Sequence, residues 1–200
     1  TGLNIWEPLM MDKMNEYLNS LHNILTRTEV TDANSERVDT TTAIDKIIAM
    51  LEAVRDARAK NIFIGNGGSA AIASHMAIDY SKNGRLPSLA FNDGAALTCL
   101  GNDLGFENVF AEQVKLHSRP GDLVFAISSS GSSPNILAAV RQAQQADCQV
   151  VTLSGFSPDN PLRKEGLLNW YVSSPEYGFV ELSHLVICHL ILDYQMGWRP

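Results

Sequence analysis

The stretch Ile62-Phe63-Ile64-Gly65-Asn66-Gly67-Gly68-Ser69 constrains this chain more than any other. A short apolar run breaks into glycines and then into the alanine-rich segment Ala70 to Tyr80. That order predicts a buried strand, a tight loop and a helix N-terminus. Such a junction presents free backbone N–H groups and the positive end of a helix dipole, which suits an anion. His75 and Asp79 lie four residues apart on the same helix and so face the same way. An anion cradle and two groups fit for metal binding or proton transfer thus fall close together in the chain.

From Asn61 onward, strand-like and helix-like stretches alternate. The strand expectations are Asn61–Gly65, Pro87–Phe91, Leu123–Ser128, Gln149–Ser154 and Asn169–Val172. Helices are expected over Ala70–Lys82, near Ala95–Leu100, and over Phe106–His117, Pro134–Ala146 and Phe179–Met196, with a short turn over Asn160–Glu165. Short apolar strands separated by helices predict an α/β fold: a doubly wound, five-stranded parallel sheet with helices on both faces. Two amphipathic helices precede it. The first spans Trp6 to Thr28, with Leu9, Met10, Met14, Leu18, Leu21 and Leu25 in helical rhythm. The second spans Ala43 to Lys60, capped by Thr40 or Thr41, and Glu29 to Asp39 between them reads as a loop. These helices either cover a sheet face or form an interface between subunits. The chain reads as a single domain over 1–200, with a helical arm over 1–60 and the sheet over 61–200.

The formal net charge of -7 has no Lys/Arg cluster against it, which argues against a nucleic-acid groove. No apolar run approaches the ~20 residues of a membrane span, and the opening Thr-Gly-Leu-Asn starts no signal-peptide pattern. Cys99, Cys148 and Cys188 are scattered without paired-ligand spacing and read as buried thiols in a reducing cytoplasm.

A second anion candidate is Ile127-Ser128-Ser129-Ser130-Gly131-Ser132-Ser133-Pro134-Asn135, again between a strand and a helix. Hydroxyls and N–H groups converge there without a cation, which suits a phosphate monoester. Both loops lie at the carboxyl ends of their strands, where open α/β sheets bind ligands. Gly65 to Ala70 also fits the loose G-x-G-x-x-G/A pattern of dinucleotide sites. The acidic partner such a site needs would end the second strand, yet Asp93 follows Asn92 in loop-like sequence. No G-x-x-x-x-G-K-[ST] is present, which excludes a P-loop.

The last helix carries Glu181, His184 and His189. At about 100° per residue, Glu181 and His189 lie ~80° apart on one side, and His184 falls ~60° to the other side of Glu181. Glu181 and His189 can therefore share a site that His184 does not face. With His75 and Asp79 they make two imidazoles and two carboxylates, a set that suits zinc and also iron or manganese. His22 and His117 have no such company and read as ordinary histidines.

These motifs together resemble the sugar isomerase (SIS) fold and, within it, the phosphoheptose isomerases. The resemblance rests on Gly65-Asn66-Gly67-Gly68-Ser69, Gly101-Asn102-Asp103-Leu104-Gly105-Phe106, the Ser128–Ser133 loop and Glu181-x-x-His184-x-x-x-x-His189, and it covers nearly the whole chain. It implies an enzyme interconverting sedoheptulose 7-phosphate and D-glycero-D-manno-heptose 7-phosphate. It further implies a homotetramer with interfacial active sites and a zinc ion held by His75, Asp79, Glu181 and His189. Substrate contacts carry over to Asn66, Gly67, Gly68, Ser69, Asn102, Asp103, Ser128, Ser129, Ser130, Ser133 and the site carboxylates Asp79 and Glu181. Proton transfer falls to Asp79 and His189.

The chain departs from the family pattern in three places. Asp79 stands for a Glu, Glu181 stands for a Gln, and Pro175 to Val180 lacks an Asp and an Arg that the family tends to have there. Two alternatives stay open: a non-catalytic sugar-phosphate-binding regulator or adaptor of the same fold, and an isomerase of another sugar phosphate.

Overall fold

The computed structural model describes residues 6–198, with side chains from Asp12 onward; Leu9 and Met10 of the expected apolar stripe lie outside the described side chains. Helix α1 (Trp6–Thr26) leads into a hairpin, β1 (Glu29–Asp32) and β2 (Arg37–Val38), and then into α2 (Thr40–Asp56). The alternating part follows: β3 (Asn61–Gly65), α3 (Gly68–Lys82), β4 (Ser88–Ala90), α4 (Gly94–Leu104) and α5 (Val109–His117). It continues through β5 (Leu123–Ser128), α6 (Pro134–Gln145), β6 (Gln149–Gly155), β7 (Leu168–Val172) and α7 (Tyr177–Gln195). Single 3-10 turns at Phe106–Asn108 and Pro161–Lys164 complete the described elements.

The sheet has seven strands in the order β2-β1-β7-β6-β5-β3-β4. Strands β3 to β7 are mutually parallel, as expected. The added pair is a correction to the reading of Glu29–Asp39 as a loop. β1 runs antiparallel to β7, Val30 opposite Trp170, and pairs on its far side with β2. Its polar residues hid it from the pattern, because the strand sits near an edge and contributes only Val30, 2% exposed, to the core. Asp32 shapes the turn by accepting from the backbone N–H groups of Asn34 and Glu36. Glu29 ties the hairpin down through Arg37 at 3.1 Å and through Arg163. The cap of α2 also differs from expectation. Asp39, not Thr40 or Thr41, accepts from the Thr42 N–H at 3.0 Å, and these hydrogen bonds hold its carboxyl below the usual range.

Strand side chains alternate between two apolar layers. Phe63, Phe125, Ile127, Leu153 and Trp170 face α2, α3 and α7, where Ile47, Leu51, Met76 and Ile191 are buried. Ile62, Ile64, Val124 and Ala126 face α5 and α6, against Phe110, Val114 and Val140. The two faces fix the register of β3 against β5, with Gly65 opposite Ile127. From β3 the chain moves outward to β4 and then returns to the other side of β3 as β5. The carboxyl ends of β3 and β5 therefore flank a topological switch point, the crevice where open α/β sheets bind ligands. Helix α4 has no buried residue. Cys99 on it is exposed, which corrects its reading as a buried thiol, whereas Cys148 and Cys188 are buried.

Candidate active site

At the switch point the glycine loop and the serine loop line one cavity of about 240 Å³. Asn66 to Ser69 form one wall, and Ser128, Ser129, Ser130 and Ser133 the other; Tyr177 and Glu181 of α7 close the third side. The N-termini of α3 and α6 border it, and among the described residues no Lys or Arg lines it. Such a lining binds an anion through N–H groups, hydroxyls and helix dipoles. The loops are held to each other by a reciprocal amide pair. Asn66 Nδ2 donates to Asn135 Oδ1 and Asn135 Nδ2 donates to Asn66 Oδ1, both at 2.9 Å. Asn135 Oδ1 also accepts from the Ile136 N–H at 3.0 Å. The hydroxyls of Ser128 and Ser133 lie 3.3 Å apart, and the buried Ser129 Oγ has no partner among the described residues.

His75 and His189 meet between α3 and α7, their Nε2 atoms 3.3 Å apart, and Asp79 Oδ2 lies 3.5 Å from His75 Nε2. One donor atom from each of these three residues falls within 4.8 Å of the others. Glu181 is outside that group. Its carboxylate lies against Gly68, where a Cβ would overlap it and make the Glu181 side chain swing aside. The helix angle correctly put Glu181 near the side of α7 that carries His189, but it could not tell which part of α3 each residue would meet. His184 points into the core instead. It is fully buried, its Nε2–H donates to Ser154 O at 3.1 Å, and burial pushes its pKa down to about 4, so the ring is neutral.

Asn102 and Asp103 lie on the exposed face of α4, bonded to each other at 2.7 Å, and do not line the cavity. Asn66, Gly67, Gly68, Ser69, the four serines and Glu181 do. Sequence reasoning missed Tyr177 and Asn135 as site residues. Asn135 stands just after the serine loop, in the first turn of α6, so its place at a helix start was the available signal. Tyr177 had none, because its place depends on how α7 packs.

The chain matches the SIS domain over residues 16–155 and belongs to that family. Within the class, it is similar to curated phosphoheptose isomerases. A phosphoheptose isomerase of Solidesulfovibrio magneticus is 42% identical over 139 residues, 66% of this chain and 67% of the relative. One of Citrifermentans bemidjiense is 32% identical over 157 residues, 76% of this chain and 81% of the relative. The solved phosphoheptose isomerase of Neisseria gonorrhoeae superposes with a TM-score of 0.77 at 26% identity, covering 92% of this chain and 98% of its own. The Vibrio vulnificus NanR protein complexed with ManNAc-6P, TM-score 0.67 at 20% identity, covers 94% of this chain and 61% of its own and shows the fold alone. The chain is thus a member of the phosphoheptose isomerase family of sugar isomerases.

Proposed function

We propose that the protein interconverts sedoheptulose 7-phosphate and D-glycero-D-manno-heptose 7-phosphate. The observation that carries this reading is a cation-free anion cavity placed on the same two helices as the His75–Asp79–His189 group. Gly68 and His75 are seven residues apart on α3, about 10 Å along its axis, a span comparable with an extended sugar phosphate. The phosphate sits between the serine and glycine loops, and the carbonyl end reaches the histidines.

An aldose–ketose isomerisation moves a proton between C1 and C2 through an enediol. A second proton moves between the oxygens on C1 and C2, and Asp79 and His189 serve the two transfers, one at carbon and one at oxygen. The serine loop lies away from the reacting carbons, so its contacts orient the substrate. A metal fits the donor set. Two nitrogens on a tetrahedral zinc ion stand ~3.3 Å apart at ordinary bond lengths, which matches the His75–His189 separation. His75, Asp79 and His189 would hold the ion. When bound, zinc supplies Lewis-acid polarisation of the carbonyl.

The assembly we propose is a homotetramer in the cytoplasm. Exposed apolar side chains on α1 (Met14, Tyr17, Leu18), α3 (Ile78) and α7 (Leu182, Val186) support it, as does the uncovered α4. Asn102 and Asp103 would then serve a neighbour's cavity. Because Tyr177 and Glu181 line the cavity, the second reading is an isomerase of a different sugar phosphate. NMR-monitored conversion of sedoheptulose 7-phosphate beside five- and six-carbon ketose phosphates decides between them. Preferential turnover of the heptulose supports the first reading, and turnover of a shorter sugar in its place overturns it. Binding of these sugar phosphates without any turnover would leave a non-catalytic regulator.

A further inference from the structure

We propose that Asn160 is a positioning residue for substrate binding: it sets the curvature of the serine loop from behind, without touching the ligand. The inference rests on the reading of that loop as the phosphate site. Asn160 lies between β6 and β7, is 3% exposed, and spends its polar atoms on fixed partners. Its Nδ2 donates to Ser157 O at 2.8 Å and to Ser154 Oγ at 3.2 Å, and its Oδ1 accepts from the Arg163 N–H at 3.1 Å. The last bond caps the Pro161–Lys164 turn.

Two links run from there to the serine loop. The Leu162 N–H of that turn donates to Gly131 O at 2.9 Å. The α-carbon of Gly131, at a left-handed φ of +62°, rests on the Asn160 amide so closely that a Cβ there would overlap Oδ1 and Cγ. Gly131 does not line the cavity; it is the back of a turn closed by its N–H on Ser128 O at 3.0 Å. The front of the same turn presents Ser129 and Ser130, including the partnerless Ser129 Oγ. Any shift of Gly131 re-aims those hydroxyls, and Asn160 governs both contacts that reach it from behind. A connection remote from the loop in sequence therefore determines how well it matches a phosphate.

The test is a double-mutant cycle on the full-length, metal-loaded protein, with Asn160→Ala, Gly131→Ala and their combination. Inorganic phosphate affinity is measured by calorimetry, and KM and kcat are measured for sedoheptulose 7-phosphate. Asn160→Ala is expected to weaken phosphate binding on the order of tenfold and to raise KM more than it lowers kcat. Gly131→Ala is expected to do the same, because its methyl meets Asn160. The double variant is expected to lose less than the product of the two single losses, since the methyl then no longer meets the Asn160 Oδ1 and Cγ, while its left-handed backbone strain remains. Asn160→Ser keeps an acceptor for the Arg163 N–H but removes the amide behind Gly131, so it carries the test should the alanine variant not melt cooperatively.

Wild-type phosphate affinity in a cooperatively folded Asn160 variant overturns the proposal, and so do losses that multiply across the cycle. Wild-type protein that binds no phosphate overturns the loop assignment itself, and this inference with it. The two failures are thereby told apart.

Discussion

At the scale of single residues, the proposed site has a reacting end and a binding end. His189 faces His75 at 3.3 Å and belongs to the first. His189→Ala is expected to lower kcat by at least ~10³-fold, beyond the middle of the range for one general acid–base group, while inorganic phosphate still binds. Steady-state kinetics with phosphate titration check this, and retained turnover contradicts the assignment. Glu181 belongs to the binding end, because its carboxylate lies against Gly68 in the phosphate cavity. At ~6 Å in a water-like dielectric, a carboxylate costs a bound anion roughly 0.7 kcal/mol per charge. Glu181→Gln is therefore expected to tighten inorganic phosphate binding about threefold or more, as read by calorimetry. Unchanged affinity would put the carboxylate elsewhere in solution.

At the scale of elements, His184 joins α7 to the end of β6 through Ser154. Its folded pKa, pushed down to about 4 from 6.5, has a definite sign for stability. Between those values the unfolded chain binds the extra proton, so stability rises with pH. The contribution is present above the unfolded value near pH 6.5 and is lost as pH falls toward 4, up to about 3 kcal/mol. Thermal melts of wild type and His184→Gln from pH 7 to pH 4.5 check this. The wild-type midpoint is expected to fall more steeply with acid than the variant's, and parallel slopes would contradict it.

The elements also show what was legible from sequence alone. β3, β5 and β6 read plainly because each is buried on both faces, and buried parallel strands leave continuous apolar runs. The hairpin did not read, because β1 takes its partner from Trp170 and Asn169, far along the chain, and buries little apolar surface of its own. The glycine and serine loops were legible for a local reason: each couples a strand end to a helix start within a few residues. Asn160 and Tyr177 were not, because their roles exist only once β6, β7 and α7 are packed. Periodicity placed His75 with Asp79 and turned His184 away from Glu181. It could not set the height at which α7 crosses α3, and that height separates Glu181 from the histidines.

At the scale of the whole molecule, several helices beside the site carry exposed apolar side chains. Met14 is 59% exposed, Leu18 51% and Ile78 58%, on helices beside the site. Where such side chains join into one large patch, they mark an interaction surface. Light scattering of the purified protein is expected to give a tetramer. Met14→Asp with Leu18→Asp is expected to yield smaller species with lost turnover, because Asn102 and Asp103 would no longer reach a neighbour's cavity. A wild-type monomer with full turnover would contradict the interfacial site.

The central claim is that the cavity and the histidine group form one metal-assisted isomerase site. The most direct measurement is metal content beside turnover of sedoheptulose 7-phosphate, before and after chelation and after zinc is returned. The account predicts one metal per chain, turnover lost with the metal, and turnover restored by zinc. Turnover indifferent to chelation, or a fully loaded protein inert toward the heptulose, would contradict it.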